Sequence, residues 1–202
     1  MKERILLIAR NLIDNKVGML NSLIVSVIAG VLYICFLVVS TCLFSDIPMA
    51  SVILISFGLM VACMISPICV FKVLAPEFDF KSSIKKMKIK RLWIEGLCII
   101  GGGVFLDVAW ELLIYYIAVG IAEEFLFRLM ITDYLNSRMS RVMAIFCSAL
   151  LFSVVFHMNY SFFDNLCLRL PLGLILAVIN EKVGYPEACS IHAIYDIVVS
   201  LQ

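Results

Sequence analysis

Charge is what this sequence has least of. Lysine, arginine, aspartate and glutamate make up 15% of the chain, and there are only two histidines. Soluble domains are typically about 25% charged and about 45–50% apolar. Here 63% of the 202 residues are apolar, which excludes an ordinary soluble domain. The composition is that of a polytopic membrane protein. The few charges nearly cancel, at +1. That balance excludes a surface recruiting an oppositely charged macromolecule in bulk. No basic–aromatic periodicity points to RNA or DNA, so no nucleic-acid partner is expected.

Familiar catalytic signatures are missing too. Without HExxH there is no helical zinc-protease geometry. Without GxSxG there is no serine elbow. Tyr195-Asp196 would suit an aspartate-type intramembrane protease, but the accompanying GxGD is absent. The cysteines are Cys35, Cys42, Cys63, Cys69, Cys98, Cys147, Cys167 and Cys189, with no CxxC among them. They read as small, reduced, buried side chains rather than as a disulfide framework or zinc site.

What the chain does have is long apolar runs. A membrane span needs about 20 such residues. Residues 22–44 qualify, as do 51–70 with a bend expected at Pro67. The stretch 92–131 is too long for one span. Gly101-Gly102-Gly103 and the polar group Asp107, Trp110 and Glu111 predict a turn that divides it into 92–109 and 112–131. Residues 142–158, 163–180 with Pro171 inside, and 187–200 complete six or seven segments. The fold class expected is all-α, a polytopic helical bundle forming one membrane-embedded domain over 1–202. Residues 1–16 place Ile5, Leu6, Ala9, Leu12 and Ile13 at helical spacing among basic residues. They predict a short amphipathic helix on the membrane surface. The first long run starts near Leu20 without a cleavage signal, so no removable leader is expected.

Orientation follows from the basic residues. Lys72, Lys81, Lys85, Lys86, Lys88, Lys90 and Arg91 crowd the 72–91 loop, and Trp93 follows where interfacial aromatics belong. This loop, the N-terminus and Arg138/Arg141 fall on one side if the spans alternate. The 45–50 loop has no lysine or arginine and falls on the other. The N-terminus is expected to be cytoplasmic.

Against this background one cluster stands out: Glu123-Glu124-Phe-Leu-Phe-Arg128. An ionised side chain at bilayer depth costs roughly 2.5–3.5 kcal/mol on insertion scales, and its default reading is functional. Glu124 and Arg128 are four apart and share a helix face, in the favourable order for a pair. Glu123 points about 100° away and is not covered by that pair. One glutamate reads as structural, the other as available for chemistry. Both histidines, His157 and His192, also lie in apolar segments, and His192 and Asp196 are four apart. A glutamate and a histidine can hold a water and take its proton. A further polar group can stabilise the oxyanion formed on a carbonyl. Two histidines and a carboxylate are also an adequate shell for a divalent metal such as zinc.

These residues resemble the CPBP family, also called the CAAX protease/Abi family of intramembrane endopeptidases. Its EExxxR motif matches Glu123, Glu124 and Arg128. Its HxxxN or HxxxD motif matches His192 and Asp196. Its middle motif, FxxxH, departs: Phe152 lies five residues before His157, and Ser153 holds the expected position. The resemblance covers about 111–202; residues 1–110 are the variable spans of such families. It implies an endopeptidase cutting a membrane-associated peptide or protein. It further implies that Glu123 and His157 activate water, Glu124 and Arg128 brace the site, and His192 with Asp196 serve the oxyanion. It implies a metal-free mechanism, with a divalent metal as the alternative. Asp196 donates only when protonated, so it can instead orient His192. A non-catalytic bacteriocin-immunity or scaffold protein is the competing reading, favoured by the altered middle motif. A small proton-coupled transporter is the third. Helical rise sets one condition. Glu123 lies about 13 Å from the end of its expected span and His157 about 24 Å into its own. Tilt or a shifted helix end must close that gap for the two to meet.

Overall fold

The computed structural model describes residues 2–158 and 161–202, with side chains from residue 10 onward. The described chain is helical throughout, without strands, in the order α1 Lys2–Phe44, α2 Pro48–Leu74, α3 Phe80–Lys85 and α4 Ile89–Phe105. The helix α5 joins Trp110–Glu124, Phe125–Ile131 and Thr132–Asn136 without a break. Then come α6 Arg141–Phe156, α7 Phe162–Lys182 and α8 Tyr185–Ser200. Three of these are long and apolar enough to cross a bilayer: α1 from Arg10 to Phe44, α2 and α7.

Two boundaries differ from expectation. The N-terminal segment is not a separate surface helix, because α1 runs unbroken from Lys2. The apolar positions Ile5, Leu6 and Ala9 lie outside the described side chains. The glycine triplet does not break the chain either; Gly101–Gly103 remain helical in α4. The helix ends instead at Leu106, with Asp107 in the left-handed region at φ 57°. Val108 N–H donates to Gly103 O at 2.9 Å and Asp107 N–H to Val104 O at 3.1 Å. Those are the two bonds of a Schellman stop, and aspartate tolerates its left-handed position.

Four π turns interrupt the helices, at Val61–Ile65, Phe125–Ile131, Leu151–Phe156 and Asn165–Arg169. Two are followed at once by a proline, Pro67 and Pro171. Proline cannot donate to the carbonyl four residues back and its ring crowds that carbonyl. Widening the preceding turn relieves the clash, and Ser66 Oγ donates to Ala62 O at 2.7 Å there. The sequence predicts a bend at Pro67, and what the structure shows beside it is this widened turn.

The centre of the bundle is α5, which packs on α2, α4, α6 and α8. Its second half is buried nearly all round, including Phe125, Leu126, Phe127, Leu129, Met130 and Ile131. A helix enclosed on every side is apolar on every side. Small residues set the close crossings. A Cβ on Gly58 would overlap the Phe36 side chain of α1. A Cβ on Gly120 would lie 2.6 Å from Cys189 O of α8. Such small residues let helices approach closely without a hydrophobic drive between them. The cysteines are all unbridged, as expected, but only Cys63, Cys147 and Cys189 are buried. The other five are exposed.

Candidate active site

The buried charge on α5 is arranged as a fork. Arg128 Nε donates to Glu124 Oε2 at 2.8 Å and Nη2 donates to Oε1 at 3.3 Å. Both side chains are wholly inaccessible. Two parallel charge-assisted bonds fix direction as well as distance. The rest of the guanidinium lies over the Phe152 ring, 5.4 Å from its centroid. Glu124 has a second partner, since its Oε1 is 3.1 Å from His192 Nδ1. A paired carboxylate accepts there, so Nδ1 carries the proton and Nε2 faces away from Glu124. The glycine crossing at Gly120 is what brings α8 near enough for this contact.

Glu123 faces elsewhere, as helical rotation requires. Its Oε2 is 4.0 Å from His157 Nε2 and 3.9 Å from His192 Nε2. This oxygen is buried and has no hydrogen-bond partner within the described protein. Buried polar atoms are rarely left so, and a water or a ligand group is the usual complement. His157 turns its other nitrogen away: Nδ1 is 2.8 Å from Phe152 O. A carbonyl only accepts, so Nδ1–H donates and Nε2 presents a lone pair toward Glu123. Asp196 is nearer to His192 Nε2 than Glu123 is, with Oδ2 at 3.5 Å. The structure thus brings all six residues singled out in the sequence into one place.

The depth mismatch disappears for two reasons. The helix α5 continues to Asn136 rather than stopping near 131. Glu123 is therefore about 20 Å from the end of its helix by rise, close to the 24 Å for His157. The second reason is the π turn in α6. A π turn closes on the fifth residue rather than the fourth. Phe152 and His157, five apart, therefore stack on one face with ring centroids 4.7 Å apart. The spare residue in the middle motif is absorbed by the backbone.

Several supporting residues carried no sequence signal strong enough to single them out. Asn165 Nδ2 donates to His157 O at 2.8 Å and so holds the end of α6. Thr132 Oγ1 and Ser148 Oγ both donate to Phe127 O, at 2.6 and 2.7 Å, beside the Thr132 N–H that closes the π turn on the same carbonyl. Phe152 touches Arg128, His157 and His192 together. A cavity of about 570 Å3 opens over Glu123, His157 and Asp196. Its walls include Tyr33, Tyr115, Tyr195 and Arg169. The Tyr33 and Tyr115 hydroxyls meet at 2.7 Å and tie α1 to α5 at the rim. Among the described residues, no three histidine, cysteine, aspartate or glutamate side chains are grouped as metal ligands would be.

An all-helical membrane bundle with a buried glutamate–histidine cluster beneath a cavity defines the class. Residues 105–198 match the family described as type II CAAX prenyl endopeptidase Rce1-like. This stretch of the chain is similar to CAAX proteases, in accord with the resemblance carried by the motifs. Comparison with curated proteins gave no match, and neither did comparison with solved structures.

Proposed function

We propose that this protein is an intramembrane endopeptidase that hydrolyses a peptide bond of a membrane-associated peptide or protein. The observation that carries the reading is the unsatisfied Glu123 Oε2, buried and facing His157 Nε2 across 4.0 Å. A water about 2.8 Å from each atom fits that separation and donates one hydrogen to each. Glu123 takes the proton as the water oxygen bonds to the scissile carbonyl carbon. The carbonyl becomes an oxyanion, and His192 in its doubly protonated form donates to it from Nε2. Collapse breaks the C–N bond, and the proton held by Glu123 passes to the leaving amine. Glu124 and Arg128 hold His192 at the angle this requires. Asp196 orients His192 from the cavity side.

This route uses no metal. Activity should survive 1,10-phenanthroline. Loss on chelation, restored by zinc, would replace the route with a metal-centred one. The altered middle motif lent the immunity or scaffold alternative some support, and the π turn, with Phe152 beside His157 all the same, weakens that support. The deciding comparison is wild type against Glu123→Gln in membranes, with released peptides identified by mass spectrometry. Products that need Glu123 are expected. Identical peptide profiles in the two membranes would overturn the reading.

A further inference from the structure

A second cavity lies on the opposite face of α5 from the candidate active site. Its volume is about 450 Å3, and it runs between α4 and α5 with Met60 of α2 at its side. Leu92, Trp93, Gly96, Ile100 and Ile117 line it, and no charged or hydrogen-bonding side chain does so apart from the Trp93 indole. Trp93 is 70% exposed. From Ile89 to Ile100 the α4 wall rises about 16 Å. That is about one leaflet of a ~30 Å hydrocarbon core.

A basic recess adjoins one end of this groove. Lys85, Lys88, Lys90 and Arg91 line it, and Ile89 belongs to both. Most acids of this end already have a basic partner. Asp133 pairs with Lys86 and Arg141, Glu77 with Arg138, and Glu181 with Arg141. Glu95 and Glu187 pair with Arg91. Among the described residues, Lys85, Lys88 and Lys90 are left without an acidic partner, and all three are exposed. Clustered lysines at the end of an apolar slot complement an anion carrying a hydrocarbon tail.

We propose that this groove binds one anionic phospholipid, with an acyl chain along α4 and its phosphate at Lys85, Lys88 and Lys90. The lipid wedges α4 against α5 from outside, and no residue of the candidate active site touches it. The inference stands apart from the endopeptidase reading, since its readout is bound lipid and not cleavage.

Native mass spectrometry of the full chain in detergent tests this, with phosphatidylglycerol and phosphatidylcholine of identical chains offered in equal amounts. The expected result is a single retained phosphatidylglycerol. Each lysine near an anionic surface is worth roughly fivefold, so Lys85→Gln/Lys88→Asn/Lys90→Gln should lower the preference at least about tenfold. Leu97→Trp, which fills the slot from its lipid side, should lose the retained lipid while the lysines remain. Gly96→Leu fills it from the floor and serves if the first variant folds poorly. Equal retention of the two lipids, or a preference unchanged by the lysine substitutions, would overturn the proposal. So would lipid retained by both groove-filled variants, or displacement of the lipid by millimolar inorganic phosphate.

Discussion

Arg128 illustrates how much a single side chain can hold in this protein. It forks onto Glu124, covers Phe152, and through these two partners sets both histidines. Removing one member of a buried pair strands the other, at a cost of about 3–5 kcal/mol. Arg128→Ala should therefore lower the folded yield and the thermal midpoint sharply, along with activity. Arg128→Lys keeps the charge without the fork and should recover stability more than activity. Normal yield and activity in the alanine variant would show that Glu124 is not braced this way. His192→Ala is expected to behave in the opposite sense, costing cleavage more than stability. A silent His192→Ala would remove it from the site. These residues were legible because charge is so scarce in the sequence that each buried charge needed an explanation. Asn165, Ser148 and Thr132 were not legible. Their partners are backbone carbonyls at irregular turns and helix ends, and nothing in a side-chain pattern announces which carbonyl takes an extra donor.

Helix ends and helix regularity were read less well than helix existence. Apolar runs located the spans because bilayer thickness imposes a length. The polar group at Asp107 marked the turn between α4 and α5, but the glycine triplet read with it stays helical, and the stop comes a few residues early at a left-handed Asp107. Apolar runs could not show a π turn, since periodicity arguments assume 3.6 residues per turn. The middle motif is the case in point. Its extra residue looks like a defect on an α-helix and disappears on a π turn. Deleting Val154 should therefore convert Leu151–Phe156 to an α turn and leave Phe152 facing His157, now four apart. A folded variant that still cleaves is expected. A folded but inactive one would mean that the π geometry itself is required. Gly120→Ala tests the other element-scale feature. Its Cβ has no room against Cys189 O. Overpacking of this kind typically costs about 1–3 kcal/mol. The α5–α8 spacing should open, with loss of the Glu124–His192 contact and of cleavage at temperatures where the fold survives.

At the scale of the whole molecule, charge segregation separates the two ends of the bundle. The ion pairs Lys86–Asp133, Arg138–Glu77, Arg141–Glu181 and Arg91–Glu187 stitch together the end of α2, the start of α4, the α5–α6 turn and the α7–α8 turn. These ends therefore lie on one surface, and nearly all the lysine and arginine of the described chain lies there. The other surface holds the α1–α2 turn with Asp46 and the α4–α5 turn with Asp107, and no lysine or arginine in either. From the positive-inside bias we propose that the basic surface is the cytoplasmic one. It is also the surface bearing the Lys85–Lys90 recess, so an anionic cytoplasmic leaflet would meet both features at once. A fluorescent protein fused to the N-terminus should fold and fluoresce in the cytoplasm. Alkaline phosphatase inserted at the 45–50 turn should be active outside it. The reverse pattern would invert the molecule. The catalytic cavity would then open to the opposite leaflet, and the class of peptides able to reach Glu123 would change with it.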